Sequence, residues 1–219
     1  MRSALALLVV IALIVAGYLY GRDYVRRHPQ DVPWTGLDLR DPIGMFTLRK
    51  IGALSDDPAL CRMLIEQAGI GDVAAPARSD GPFCGYTNGM MLDESGRTVA
   101  FAPAGVVTSC PVAAALAVYE RQIMQPAAQR HFGTSVAAID HAGSYSCRRL
   151  YGRPEGAYSE HASANALDII GFRLTDGTEI SVLRDWNGGG PKSAFLRDVR
   201  DGAYKLFATV LTPDYNAAH

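Results

Sequence analysis

From Ala4 to Tyr20 the chain reads ALALLVVIALIVAGYLY, 17 residues without a charge between Arg2 and Gly21-Arg22. That length predicts a helix at the lower limit for crossing a bilayer. The run ends in Gly17-Tyr18-Leu19-Tyr20, a poor cleavage site and a good interfacial aromatic anchor. The expectation is an uncleaved signal anchor over residues 1–21, with a cleaved signal peptide as the alternative. The pattern then changes. Residues 22–45 hold Pro29, Pro33, Trp34 and Pro42 with no apolar period, and they read as a linker. A single domain is expected over residues 46–219.

Within that domain, Ser55-Asp56-Asp57-Pro58 is a helix start, and PALCRMLIEQAG would end at Gly69. Leu60, Leu64 and Ile65 share a face with Cys61, which points inward. Gly81 to Gly85 reads as a loop, and Thr98 to Val107 as strand-like but broken by Pro103. Ser109-Cys110-Pro111 opens a long helix that Pro126 bends or splits. Val136 to Ile139 is a short apolar run before a turn at His141 to Ser144, and SYSCRRL (144–150) is a strand candidate. The segments 164–174 and 178–186 flank Thr175-Asp176-Gly177, and Asp-Gly between apolar runs predicts a hairpin. A third helix follows Gly188-Gly189-Gly190, weakened by Gly202. The fold class expected is α+β: a small antiparallel sheet with this hairpin, packed against about three helices, and preceded by one transmembrane helix.

Composition changes this picture little. The formal net charge is −1, which excludes an electrostatic nucleic-acid binder. The 22 glycines and 12 prolines predict many turns. The four cysteines, Cys61, Cys84, Cys110 and Cys147, contain no CxxC pair, so a zinc ribbon or thioredoxin-type motif is not expected. Two disulfides in an oxidising compartment suit them, and reduced, buried thiols are the alternative. Order alone leaves three connectivities open. Arg22, Arg26 and Arg27 follow the apolar run and only Arg2 precedes it. The positive-inside rule therefore favours a cytoplasmic domain where the cysteines favour export.

The chemistry concentrates in Ser159 to Asp168, SEHASANALD. Asp168 falls between Leu167 and Ile169 in a predicted apolar strand, where a carboxylate needs a cation, a donor or a metal. Histidine and carboxylate are both zinc ligands. Positions 161 and 168 would face opposite sides of one continuous strand, so a shared ion requires a reversal at Ala162-Ser163-Ala164. The alternative is an exposed His161, with Asp168 paired to Arg148 or Arg149. His131 and His141 read as structural or solvated, and His28 lies in the linker. Glu160 reads as an exposed loop residue, Trp186 and Tyr145 as groove or core residues, and Gly188 to Gly190 as a flexible loop.

Ser-x-His-(x)6-Asp, as Ser159, His161 and Asp168, resembles the first metal-binding motif of zinc D-alanyl-D-alanine peptidases and their lysostaphin-type relatives. More widely, SYSCRRL, SEHASANALDIIGFRLTDGTEISVLRDW, AFLRDVRDGAYKLF and VLTPDYNAAH resemble the extensin-like C-terminal domain of bacterial envelope proteins. The resemblance covers roughly Leu54 to His219. It implies a zinc cofactor held by His161 and Asp168, and cysteines in family positions at Cys110 and Cys147. It also implies that Arg148 lies near the substrate carboxylate. Two departures accompany it: Ala203 stands where the family usually carries a cysteine, and the family pattern continues past Asn216–His219 into a His-x-His element that supplies the third ligand. His219 is a possible but poor substitute, because a chain end is a poor rigid ligand.

Three functions follow as expectations. The first is a zinc-dependent peptidoglycan carboxypeptidase or endopeptidase. The second is a non-catalytic module that binds wall peptide or glycan, and the third a structural envelope protein with an incomplete metal site. The resemblance places the protein at the inner membrane with its domain in the periplasm.

Overall fold

A computed structural model describes residues 2–92 and 97–215. Helix α1 (Arg2–Arg27) buries no residue against the rest of the protein, and it is long and apolar enough to cross a membrane. It runs six residues past the expected end of the anchor. His28 then donates to the Tyr24 carbonyl at 2.8 Å, and Asp31 to the His28 carbonyl at 3.1 Å, so the helix passes into a 3-10 turn (Pro29–Asp31) without slack.

The stretch expected to be a loose linker is docked on the domain. Leu39 and Val32 are buried, and Leu39 joins the main core. Gln122 brackets the segment, its Nε2 donating to the Asp41 carbonyl at 2.6 Å and its Oε1 accepting from Ile43 N at 2.9 Å. The prolines that obscured any apolar period fix the turns that aim these side chains inward.

Helices α2 (Thr47–Gly52) and α3 (Pro58–Gln67) follow. Asp57 caps α3 by accepting from Leu60 N at 3.0 Å, as the Asp-Pro start predicts. Short strand β4 (Gly89–Met91) pairs antiparallel with β1 (Val73–Ala74) on one side and with β6 (Val107–Ser109) on the other. Between them β2 (Arg78–Ser79) and β3 (Gly85–Tyr86) make a small hairpin. Strand β5 (Ala100–Ala102) ends at a cis Ala102–Pro103 bond.

The long second helix is realised as α4 (Cys110–Tyr119), a π turn (Glu120–Met124) and α5 (Gln125–Phe132). Pro126 lies in the first turn of α5. The wide turn before it removes the carbonyl clash a proline meets inside a regular helix, so the chain widens where a kink or split was expected. Every residue of α4 is buried, making it the axis of the core; a helix apolar all round carries no amphipathic signal.

The second sheet has the order β5–β7–β8–β9, with β7 at Val136–His141, β8 at Ile169–Leu174 and β9 at Glu179–Ser181. Its β7–β8 and β8–β9 pairs are antiparallel, while β5 joins β7 in parallel. The Asp-Gly hairpin forms as expected, but both arms are shorter. Residues 164–168 are irregular. After Ser181 the chain coils into α6 (Val182–Asp185), capped by Ser181 accepting from Arg184 N at 3.3 Å. Residues 144–150 form no strand, apart from an isolated Arg149–Tyr158 bridge. Helix α7 (Gly190–Ala203) closes the core against α5. The fold is α+β.

The cysteines form two bridges, Cys61–Cys110 and Cys84–Cys147. Disulfides fit an extracytoplasmic domain, and α1 fits a membrane anchor or signal sequence.

Candidate functional site

The reversal required of residues 162–164 is present. Ser159 is extended and caps a 3-10 turn (Glu160–Ser163) by accepting from His161 N at 3.3 Å. Ala164 ends the turn in the left-handed region at φ 54°. That conformation costs an alanine of order 1 kcal/mol, and the contacts around it hold it there. The Ala164 carbonyl accepts from Ser109 N at 2.7 Å, at the head of α4. Residues 142–146 stitch the two ends of the turn together: Ser146 N donates to the His161 carbonyl at 2.9 Å and Asp168 N to the Gly143 carbonyl at 3.0 Å. Ala142 N in turn donates to the Asp168 carbonyl at 2.7 Å.

As a result His161 Nε2 lies 3.3 Å from Asp168 Oδ1. The other ring nitrogen, Nδ1, sits 2.6 Å from the Ser144 carbonyl. A carbonyl only accepts, so Nδ1 carries a proton; the protonated ring donates from Nε2 to the Asp168 carboxylate, and loss of that second proton leaves the Nε2 lone pair open to a metal. His161 is buried, while the Asp168 side chain is 49% exposed. The carboxylate precedes β8 and reaches solvent, so the expected penalty of a buried strand charge does not arise; its imidazole neighbour comes from backbone geometry. The hydrogen bond to Asp168 raises the His161 pKa above its ordinary value, with the Ser144 carbonyl adding to it. Burial and the Arg148 charge oppose the rise.

The donor set suits a divalent metal. An imidazole Nε2 and a carboxylate oxygen share one side of a turn, and the second ring nitrogen is tied to a carbonyl, as ligating histidines commonly are. Among the described residues no group of three His, Cys, Asp or Glu converges.

The family described as Extensin-like protein C-terminus matches residues 59–219 of the chain. The chain belongs to that family. No curated protein and no solved structure matches it. The matched span of this extensin-like protein begins within α3 and leaves out α1 and the docked segment.

A cleft of about 320 Å³ in the extensin-like domain lies between Arg78, Tyr86, the 103–107 loop, His141, Gly143 and Tyr145, and Gly143, whose carbonyl accepts from Asp168 N, joins it to the turn. Tyr145 donates to Asp80 Oδ2 at 2.7 Å, and Arg78 lies 4.2 Å over the Tyr145 ring. The Cys84–Cys147 bridge fastens the β2–β3 hairpin to the segment carrying Arg148. Arg148 itself is exposed, and its carbonyl accepts from Ser159 N at 3.0 Å. Arg149 is turned away, over the Tyr158 ring at 4.4 Å and toward the Gly156 carbonyl. Phe83 stacks on Tyr158 at 5.1 Å and remains largely exposed.

The remaining sequence candidates sit elsewhere. Glu160 accepts from Asn165 Nδ2 at 2.7 Å. His131 meets Asp198 at 2.8 Å, and buried His141 donates from Nε2 to the Pro103 carbonyl at 2.9 Å. Trp186 is buried and donates to Asp214 at 2.8 Å. Gly188 to Gly190 lead into α7. His219 lies outside the described residues. Ser144 and Asp80 were missed. Ser144 acts through its carbonyl, which every residue possesses, and Asp80 through a tyrosine 65 positions away.

Proposed function

We propose that this extensin-like protein is a zinc-peptidase-like envelope protein acting on the peptide of peptidoglycan. Helix α1 anchors it in the inner membrane and the domain stands in the periplasm. The reading rests on one observation: His161, tied through Nδ1 to Ser144, turns Nε2 to Asp168 at 3.3 Å. Kinship with zinc D-alanyl-D-alanine and lysostaphin-type peptidases is part of the proposal.

His161 and Asp168 are the residues that would hold zinc. A catalytic zinc site takes a third protein donor, and His219 is a histidine outside the described residues that could fill that place. When bound, zinc supplies polarisation of the amide carbonyl and a lower pKa for the attacking water. The chain's own groups do the rest. The Ser144 carbonyl sets the tautomer of His161. Arg148, exposed beside the turn, offers its guanidinium to a substrate carboxylate or a developing oxyanion. The cleft at Tyr86, Tyr145 and Val107 receives the flanking peptide.

A second reading, a wall-binding module without turnover, draws support from the exposed Phe83 stacked on Tyr158, a platform for a sugar ring or peptide. Metal analysis separates the two. Purified without chelator, the protein should carry about one zinc per chain, and His161→Ala should abolish this. Wild-type protein that takes up no zinc from an excess refutes the metal site. Retained sedimentation with peptidoglycan in that case establishes the second reading.

A further inference from the structure

The two most exposed large apolar side chains between α1 and α3 are Trp34, at 79%, and Met45, at 80%. Both flank the turn by which the chain leaves α1. Met45 N donates to Asp31 Oδ1 at 2.8 Å and Phe46 N to the Gln30 carbonyl at 3.1 Å. Lys50 Nζ donates to the Pro29 carbonyl and to Thr35 Oγ1, each at 2.8 Å. Residues 29–31, 34–35 and 44–50 are therefore one knot, set at the end of the helix without free chain between.

From this we infer that the domain is seated on the membrane surface, with Trp34 and Met45 inserted among the lipid headgroups of the bilayer that holds α1. The inference rests on the anchor reading of α1. Gly21 to Arg27 add about 10 Å of helix beyond the apolar run that ends at Tyr20, close to the depth of one headgroup layer, which is about 5–8 Å. The knot thus begins at the outer edge of that layer. Tryptophan is favoured there, its ring against acyl chains and its N–H toward water. Tyr18 and Tyr20, at the end of the apolar run, and Tyr24, one turn further on, are exposed on α1 below the knot. A tethered domain would roam; a domain fixed by this knot keeps one face toward the lipid.

The chain has two tryptophans, and the other, Trp186, is only 3% exposed, so it serves as an internal reference. The full chain is reconstituted into phosphatidylcholine–phosphatidylglycerol vesicles with and without bromine on the upper acyl chain. The expected result is that brominated lipid removes at least half of the Trp34 emission, defined as wild type minus Trp34→Phe, and that aqueous iodide barely quenches it. Trp34 emission that iodide quenches fully and brominated lipid leaves intact overturns the docked face while leaving the anchor standing. Carbonate extraction of the same vesicles is the second readout: chain with intact α1 released into the supernatant overturns the anchor, and the docked face with it.

Discussion

Replacing Cys61 and Cys110 together by alanine removes the cross-link between α3 and the start of α4. The bridge spans 49 residues. In the chain-entropy treatment, closing a loop of that length disfavours the unfolded chain by about 4 kcal/mol at 25 °C. This is an upper figure, since Cys84–Cys147 overlaps the same stretch and keeps part of it confined. The same treatment assigns Cys84–Cys147, spanning 63 residues, about 4 kcal/mol as well. Burial separates the two. Cys61 and Cys110 are both 0% exposed, and their sulfurs pack in the main core, so alanine also leaves a void there. Cys147 is exposed. Urea unfolding with a slope of about 2 kcal/mol per molar should therefore place the Cys61/Cys110 variant roughly 2 M below wild type, with Cys84/Cys147 less affected. Dilute thiol should open Cys84–Cys147 first, read by mass after alkylation. A loss under about 1 kcal/mol for the buried pair, or the reverse order of reduction, would refute the reasoning.

The other predictions concern single positions. In metal-free protein the His161 pKa is raised, so its pair with Asp168 stabilises the fold fully below the ordinary value of 6.5, and that contribution fades as pH rises through the folded value. Asp168→Asn should flatten this slope in melting curves across the neutral range; an NMR titration midpoint of His161 at or below 6.5 in wild type contradicts it. Arg97 is buried against Asp72, with Nε 2.6 Å from Oδ1, and against Glu120 at 3.3 Å. Arg97→Ala should cost about 3–5 kcal/mol by stranding two carboxylates, and a loss below 1 kcal/mol in urea would contradict that burial. In Gly202→Ala the new methyl overlaps Ile123 Cγ2 and lies 2.9 Å from its Cδ1; a loss of about 1–3 kcal/mol is expected, and an unchanged melting temperature would count against the close approach.

What the sequence disclosed depended on whether the signal was local. Asp57-Pro58 announces α3 because cap and helix start are adjacent, and Asp176-Gly177 announces the hairpin for the same reason. The parallel pairing of β5 with β7 joins positions 38 residues apart, and nothing in either strand records it. Gly202 reads as a flaw in an amphipathic helix until Ile123 appears beside it. The docked stretch from Pro29 to Ile43 was hidden because its few buried side chains follow turns rather than a period. The His161–Asp168 pair was legible as a requirement, that the chain reverse between them. Its means, a left-handed Ala164 and bonds from residues 142–146, lay outside the motif. The absence of a strand at 144–150 has a related cause: those backbone groups pair with 157–161, whose 3-10 turn cuts the ladder short.

The pairing of the cysteines has a consequence for biogenesis. A chain crossing the membrane from its N-terminal end exposes Cys61 and then Cys84 to the oxidising side well before Cys110 and Cys147 arrive. An oxidant that joins thiols in order of emergence would couple the first two, whereas the finished domain pairs first with third and second with fourth. Maturation therefore calls either for α3, the β2–β3 hairpin and α4 to assemble before oxidation, or for a thiol-exchange catalyst that undoes the early bond. The yield of correctly bridged protein on export should accordingly track the supply of an isomerase more closely than the supply of an oxidase.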